Sequence, residues 1–313
     1  MFRRIWMALA AGAVLAGCYE RTRDDRAVCD WRIVAAEQSS RCLVMYLGAP
    51  AGELSEIWRW DPARDPNLPP MAVKAFASID EAKPIDGGQT VLTCASGGGV
   101  GAVDVATCRA KWFAYIPEHR DGPHSLAVLP DGRIAVANSV GVDALQLVDL
   151  ADAPFDPARQ RIVRVATVPG AHGVSWDTRR GTLFVLGYTN VFEYAYSSAQ
   201  LSVKELRRWN FATTCGDAYG HDLVPDGCGG YWFSNHSGVW RLDPDTGGFT
   251  PVLDEKNVKS FSRDAQKGDL LVTPRTRWWT DRLTVRTLDG ASRTLGPIPS
   301  ARFYKARWLK VRE

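Results

Sequence analysis

The chain has 313 residues, 45% apolar and 23% charged, enough to bury a large core. Its formal net charge is only +3, with Lys and Arg scattered along it. That distribution excludes the basic stripe of a nucleic-acid binder and the polybasic patch of a membrane-surface protein, so charge names no partner.

Residues 1–18 read as a targeting signal: a basic "MFRR", an apolar "IWMALAAGAVLA" too short to span a bilayer comfortably, then "LAGC". This resembles a bacterial lipoprotein signal with its lipobox, which implies lipidation of Cys18 as the mature N-terminus. Tyr19 stands where an Asp would mark inner-membrane retention. The resemblance thus implies an anchor in the outer membrane, facing the periplasm, with the bilayer touched only through the lipid. Residues 19–30 form a polar tether, and 31–313 are expected to fold as a single domain.

From residue 31 onward, short runs rich in Val, Leu, Ile, Phe, Tyr and Trp are bounded by Gly, Asp, Pro and Asn, with no long helical periodicity. The fold class is therefore all-β. The first strands lie in "WRIVAAEQSSRCLVMYL" and "EIWRWD", and a second group in "DGGQTVLTCASGGGVGAVDVATCRAKWFAYI". A repeat then becomes visible. "HSLAVLPDGRIAVANS" starts at His124, "HGVSWDTRRGTLFVLG" at His172, "HDLVPDGCGGYWFSNH" at His221 and "KSFSRDAQKGDLLVTP" at Lys259, in steps of 48, 49 and 38 residues.

Each unit is a strand, a polar turn, a second strand, a Gly/Ser/Asn loop and two further strands. Four strands at a period of about 40 to 50 residues identify a β-propeller blade. The count is six blades, with five and seven as alternatives. "ARFYKARWLKV" at the end is a strand without a partner of its own, expected to pair with the N-terminal strands and close the ring.

Six cysteines follow Cys18, and an oxidising compartment favours disulfides. Cys29 and Cys42, Cys94 and Cys108, and Cys215 and Cys228 are separated by 13, 14 and 13 residues, so three local bridges are expected in that order. No CxxC occurs, which argues against a zinc-thiolate site.

The succession "VLTCASGGGV", "GPHSLAVLPDGRIAVANS", "GAHGVSWDTRRGTLFVLGY", "YGHDLVPD", "VKSFS", "RTRWWTDRL" and "YKARW" resembles an uncharacterised bacterial family of propeller lipoproteins, catalogued as a domain of unknown function. The resemblance runs from about residue 31 to 310 and implies a fold and a place, but no activity.

In a propeller, the start of each innermost strand and the loop joining its second and third strands meet on one face. The strand-mouth positions are Lys305 or a neighbour, Asp80 or Glu81, His124, His172, His221, and Lys259 with Ser260. The loop positions include Gln38, Ser96, Asn138 and Ser139, Tyr188, His236 and Arg275. One concave site therefore gathers residues from the whole chain. "SGGGVG" lacks the Lys and helix of a phosphate loop, and its glycines read as a close backbone approach at the rim.

Three readings of His124, His172 and His221 remain open: they bind one divalent transition metal, they line one ligand, or they cap turns. The metal arrangement is similar to that of propeller lyases such as oligogalacturonate lyases and peptidyl-amidoglycolate lyases, except that here the histidines come from adjacent blades. Apart from such an ion no cofactor is indicated. Without metal, the histidines and Lys259 are candidate proton-transfer groups, and Lys259, Lys305 and Arg275 can neutralise a carboxylate. The two lysines can equally be paired with Asp80, Glu81 or Asp222. Trp278 and Trp279 can stack on a sugar ring or fill space between blades.

Two functions follow from these readings. One is a cell-envelope propeller that binds a small ligand or glycan, expected as a monomer. The other is a carbohydrate lyase or hydrolase that uses the three-His site with a metal.

Overall fold

The computed structural model of the protein describes residues 31–117, 122–139, 141–264, 268–275, 278–287 and 290–309. The signal segment, Cys18, the tether and Cys29 lie outside them. The described residues form six four-stranded antiparallel sheets, the blades of a β-propeller.

Innermost strands run over Phe303–Trp308, Ile79–Ile85, Pro123–Val128, Gly173–Asp177, Asp222–Pro225 and Val258–Arg263 in blades one to six. Second strands such as Ile134–Asn138 and Thr182–Leu186 are buried along their whole length, because neighbouring blades cover both faces. They consequently read as unbroken apolar runs. Outer strands such as Ser202–Asn210 carry Lys204, Glu205, Arg207 and Arg208 and leave most positions exposed, which keeps the blade edge from pairing with another chain. Between blades one and two the core includes Trp60, Phe76 and Phe113, with ring centroids 5.2 and 5.6 Å apart along that series.

The ring closes as the sequence predicts. Phe303–Trp308 pairs antiparallel with Trp31–Glu37, Ile33 opposite Trp308 and Ala35 opposite Ala306, so the first blade combines both chain ends. The glycines of "SGGGVG" also have their expected role. A Cβ on Gly97 would lie 2.5 Å from the Lys74 carbonyl oxygen, and one on Gly99 2.8 Å from that of Ala75. The one-turn helix Ala72–Ala75, which links the first two blades, sits directly on this loop.

Among the described residues no disulfide is formed, and the expected Cys29–Cys42 pair lies partly outside them. Cys94 and Cys215 are buried thiols, Cys108 and Cys42 are also unbridged, and the Cys108 thiol lies 2.8 Å from the Arg59 carbonyl oxygen. Hairpin geometry explains the correction. Cys94 pairs with Val100 at one end of its blade, whereas Cys108 lies in the turn beyond Asp104, at the other end. Cys215 likewise lies beside the Asn235–Ser237 loop, whereas Cys228 lies in the turn between Pro225 and Tyr231, at the far end of that pair of strands. A spacing of about one strand pair places the two sulfurs too far apart to bond.

Candidate functional site

Four of the six innermost strands do not start as regular ladders. In blade two, Ile79 and Glu81 face the neighbouring residues Ala95 and Cys94, so Asp80 is an extra residue, a β-bulge. His124 is inserted in the same way between Pro123 and Ser125, and Lys259 between Val258 and Ser260. In the closing strand, three steps from Phe303 to Ala306 face two from Glu37 to Ala35, so the bulge falls at Tyr304 and Lys305. His172 and His221 sit one residue before their strands, their N–H groups donating to Leu186 and Ser234. Bulges re-aim side chains out of the pleat. Here they turn Asp80, His124, Lys259 and Tyr304 towards a cup on the propeller axis.

The cup has a volume of about 670 Å³. It brings together most of the residues expected at the site: Gln38, Ser96, His124, His172, Tyr188, His221, His236, Lys259, Arg275, Trp278 and Trp279. Asp80, Ser139, Tyr219 and Tyr304 line it as well.

Two expected residues do not reach it. Asn138 is fully buried, its amide donating to Gln146 Oε1 at 2.9 Å, and Ser139, one residue later, lines the cup instead. Lys305 is fully buried beneath the cup, where Nζ lies 3.2 Å from Glu81 and 3.4 Å from Asp222. Its pairing with these acids removes it as a ligand contact.

Arg307, two residues further along the strand, contacts Asp222 through both terminal nitrogens at 2.6 and 2.7 Å and Glu81 at 3.0 Å. Lys83 donates to Ser125, Leu126 and Val174 at 2.8 to 3.0 Å. These buried charges fill the axis below the histidines. Burial alone would raise the Asp222 carboxyl, but Arg307 and Lys305 outweigh it and hold the pKa at about 2. Lys305 also donates to the carbonyls of His124 and His172, tying the floor of charges to the strands that carry the site.

The three imidazoles contact one another, two of them stacked and the third edge-on. His124 and His172 have ring centroids 4.3 Å apart with planes 24° from parallel, and His221 meets His172 edge-on at 5.6 Å. A metal needs in-plane nitrogen lone pairs from three rings pointing at one spot, each about 2.0 to 2.1 Å from the ion. Stacked rings place their nitrogens side by side instead. Among the described residues no group of three or more His, Cys, Asp or Glu side chains could hold an ion. In this arrangement the three rings do not converge on one point.

Burial pushes all three histidines well below the ordinary imidazole pKa, with neighbouring cations such as Lys259 adding to the shift. They are neutral at pH 7. His172 Nδ1 lies 2.9 Å from the Gly170 carbonyl, which can only accept, so Nδ1 carries the proton and Nε2 keeps its lone pair. His236 Nε2 lies 2.6 Å from an Arg275 Nη2, which can only donate, so Nε2 accepts. His221 is 5% exposed, and neither ring nitrogen has a hydrogen-bond partner among the described residues.

Lys259 is 2% exposed, and its ammonium stands 4.5 Å from the Tyr304 ring centroid. Burial, then Lys305 and Arg275, pull its pKa down to about 7. Asp80 accepts from Ser96 at 2.6 Å and Gln38 at 2.9 Å and faces His124 Nδ1 at 3.7 Å. Burial nonetheless pushes its carboxyl up to about 7.

These two groups give stability an unusual pH profile. The Asp80 contribution is complete near pH 4 and is lost as pH rises through about 7, because the folded state keeps the proton longer than the unfolded chain. The Lys259 contribution is present above its ordinary value of 10.5 and is lost as pH falls to about 7. Stability therefore dips near pH 7, where Asp80, His124, Lys259, Lys305 and Tyr304 face one another. In Asp80→Asn the limb between pH 4 and 7, on the order of 2–4 kcal/mol, should flatten while the alkaline limb remains. Denaturant titrations at several pH values measure both limbs, and an unchanged acid limb would remove Asp80 from this role.

Fold and site together define the class: a six-bladed β-propeller with a closed axial floor and a polar, aromatic-walled cup. Residues 8–312 match the model of a Family of unknown function (DUF6528), and the chain belongs to that family. No curated protein matches it.

Among solved structures the chain is similar to a component of a nidogen/laminin complex, at 13% identity and a TM-score of 0.60, over 89% of this chain and 98% of that one. It is also similar to virginiamycin B lyase from Staphylococcus aureus, at 12% identity and a TM-score of 0.51, covering 87% and 83%. A putative 6-phosphogluconolactonase from Bacteroides fragilis matches at 14% identity and a TM-score of 0.50, covering 85% and 79%. At these identities the likeness concerns the fold alone.

Tyr219 is a functional candidate that reading the sequence missed, and Tyr304 is one it covered only as a neighbour of Lys305. Their aromatic rings near His221 and Lys305 were the available signal.

Proposed function

We propose that this protein is a cell-envelope lipoprotein, tethered through Cys18, whose cup binds a small carboxylate-bearing carbohydrate. One observation carries the reading: Lys259 and His221 are 2% and 5% exposed within the cup, and neither ring nitrogen of His221 has a hydrogen-bond partner among the described residues. Buried polar groups normally have partners. A polar ligand would supply them.

Arg275 lies at the same wall beside His236 and stands 5.6 Å from the Trp278 ring centroid, while Trp278 itself is 60% exposed. A cation beside an open aromatic face suits a sugar acid, with the carboxylate on the guanidinium and the ring against the indole. The groove next to the cup shares Arg275 and Trp279 and adds Arg282 and Arg302, so a ligand longer than one residue has somewhere to continue.

A second reading, chemistry on the same ligand, draws on Asp80 and Lys259 both titrating near 7. An acid and a base tuned to working pH suit proton transfer in a metal-free lyase or hydrolase.

Tryptophan fluorescence on titration with D-galacturonate and with D-galactose tests the binding. The acid should bind more tightly than the neutral sugar, and Arg275→Ala should weaken the acid alone by about 10- to 100-fold. Equal affinity for the two sugars, or no binding of either, would refute the reading.

A further inference from the structure

We propose that Lys259 captures carbonyl groups: the cup's ligand presents an aldehyde or ketone to Nζ, which condenses with it to an imine. This rests on the reading of the cup as a sugar-acid site and names the part of the ligand that reacts.

Three features of geometry support it. The amine sits in a cavity of about 670 Å³ rather than in packed core, so a ligand atom can reach it. No hydrogen bond or ion pair to Lys259 is recorded among the described residues, in contrast to Lys305, which four oxygens surround, and Lys83, which three surround. A structural lysine is tied down in this way; Lys259 has only the face of Tyr304. The same cavity holds Asp80, oriented by Ser96 and Gln38, as a carboxyl able to give and take a proton.

Burial adds reactivity. With its pKa near 7, about half of Lys259 is the neutral, nucleophilic amine at neutral pH, on the order of a thousandfold more than an ordinary lysine. His124, His172 and His221 are neutral there and add no positive charge to disfavour the cationic product.

The step balances without any oxidant. The Nζ lone pair forms the C–N bond as the carbonyl π pair moves to oxygen. One proton passes from nitrogen to that oxygen, giving the carbinolamine. The Asp80 carboxyl then protonates the hydroxyl, the C–O bond breaks, and water leaves. A protonated imine and the Asp80 carboxylate remain as an ion pair. Open-chain uronic acids carry both the aldehyde and the carboxylate this requires, the latter for Arg275.

The test uses the whole chain with D-galacturonate or glyoxylate, each followed by borohydride reduction and peptide mass spectrometry. A secondary amine should form on Lys259 in preference to surface lysines and be absent from Lys259→Met, whose folding is checked by circular dichroism. Methyl α-D-galacturonoside, which has no free carbonyl, should quench tryptophan fluorescence yet leave no adduct. Binding of these acids with no reducible adduct, or adducts spread over surface lysines and undiminished in Lys259→Met, would overturn the imine and leave the binding site standing. Failure of the methyl glycoside and the free acid alike to bind would remove both.

Discussion

Arg307→Met should cost about 3–5 kcal/mol of unfolding free energy and lower Tm by on the order of 10 °C. The reason is what it leaves behind. Asp222 and Glu81 are 1% and 0% exposed, and Arg307 is the bidentate partner of the first and a close partner of the second. Lys305 alone cannot neutralise two carboxylates that are held ionised in the interior. Breaking a buried pair from one side is expensive, whereas replacing the whole group by neutral side chains of similar shape often is not. The quadruple change Arg307→Met, Lys305→Met, Glu81→Gln and Asp222→Asn should therefore regain most of the loss. Chemical denaturation of the single and quadruple variants decides it. A single variant within 1 kcal/mol of the parent would mean that the axial charges do not hold the ring together.

Lys259→Met should act in the opposite direction on stability and abolish function. Methionine fills similar volume and has no charge to desolvate. Each unit of depressed pKa corresponds to about 1.4 kcal/mol of penalty on the charged form, so a gain of roughly 2 kcal/mol or more is expected at pH 6 to 7. The gain should shrink towards pH 10, as the unfolded chain's lysine also loses its proton. Sugar-acid binding should disappear in the same variant. A residue that weakens the fold yet lines a cavity is what a stability-for-activity exchange predicts. A Lys259→Met protein less stable than the parent at pH 7 would contradict the first expectation, and one that binds as before would contradict the second.

Most of the architecture was legible because the blade repeat is written in chemistry as well as in hydrophobicity. His124, His172, His221 and Lys259 hold the same register, and the lone final strand announced its own partner. What could not be read were offsets of one residue and the directions of side chains. Strand alternation treats Tyr304 and Lys305, or Asp80 and Glu81, as interchangeable until the bulge is known, and the bulge decides which faces the cup and which the axial charges. Of the loop pair Asn138 and Ser139, only the second lines the cup, a choice the sequence left open in the same way. The disulfide expectation failed because sequence spacing measures path length, and a path of one hairpin ends at the opposite edge of the blade. Ring orientation, on which sharing an ion depends, is set by the stacking of His124 on His172 and leaves no trace in the order of residues.

The closing strand has a consequence for synthesis. Tyr304, Lys305 and Arg307 all lie on the closing strand, which follows every other described strand in chain order, and they supply one wall of the cup and two of the cations beneath it. As the chain emerges in order, Glu81 and Asp222 must wait for their two closest cations, so five finished blades enclose an axis short of positive charge. Arrival of the closing strand thus completes the pocket and the fold in one event. A chain stalled or clipped just before Phe303 would carry every histidine of the site and no site.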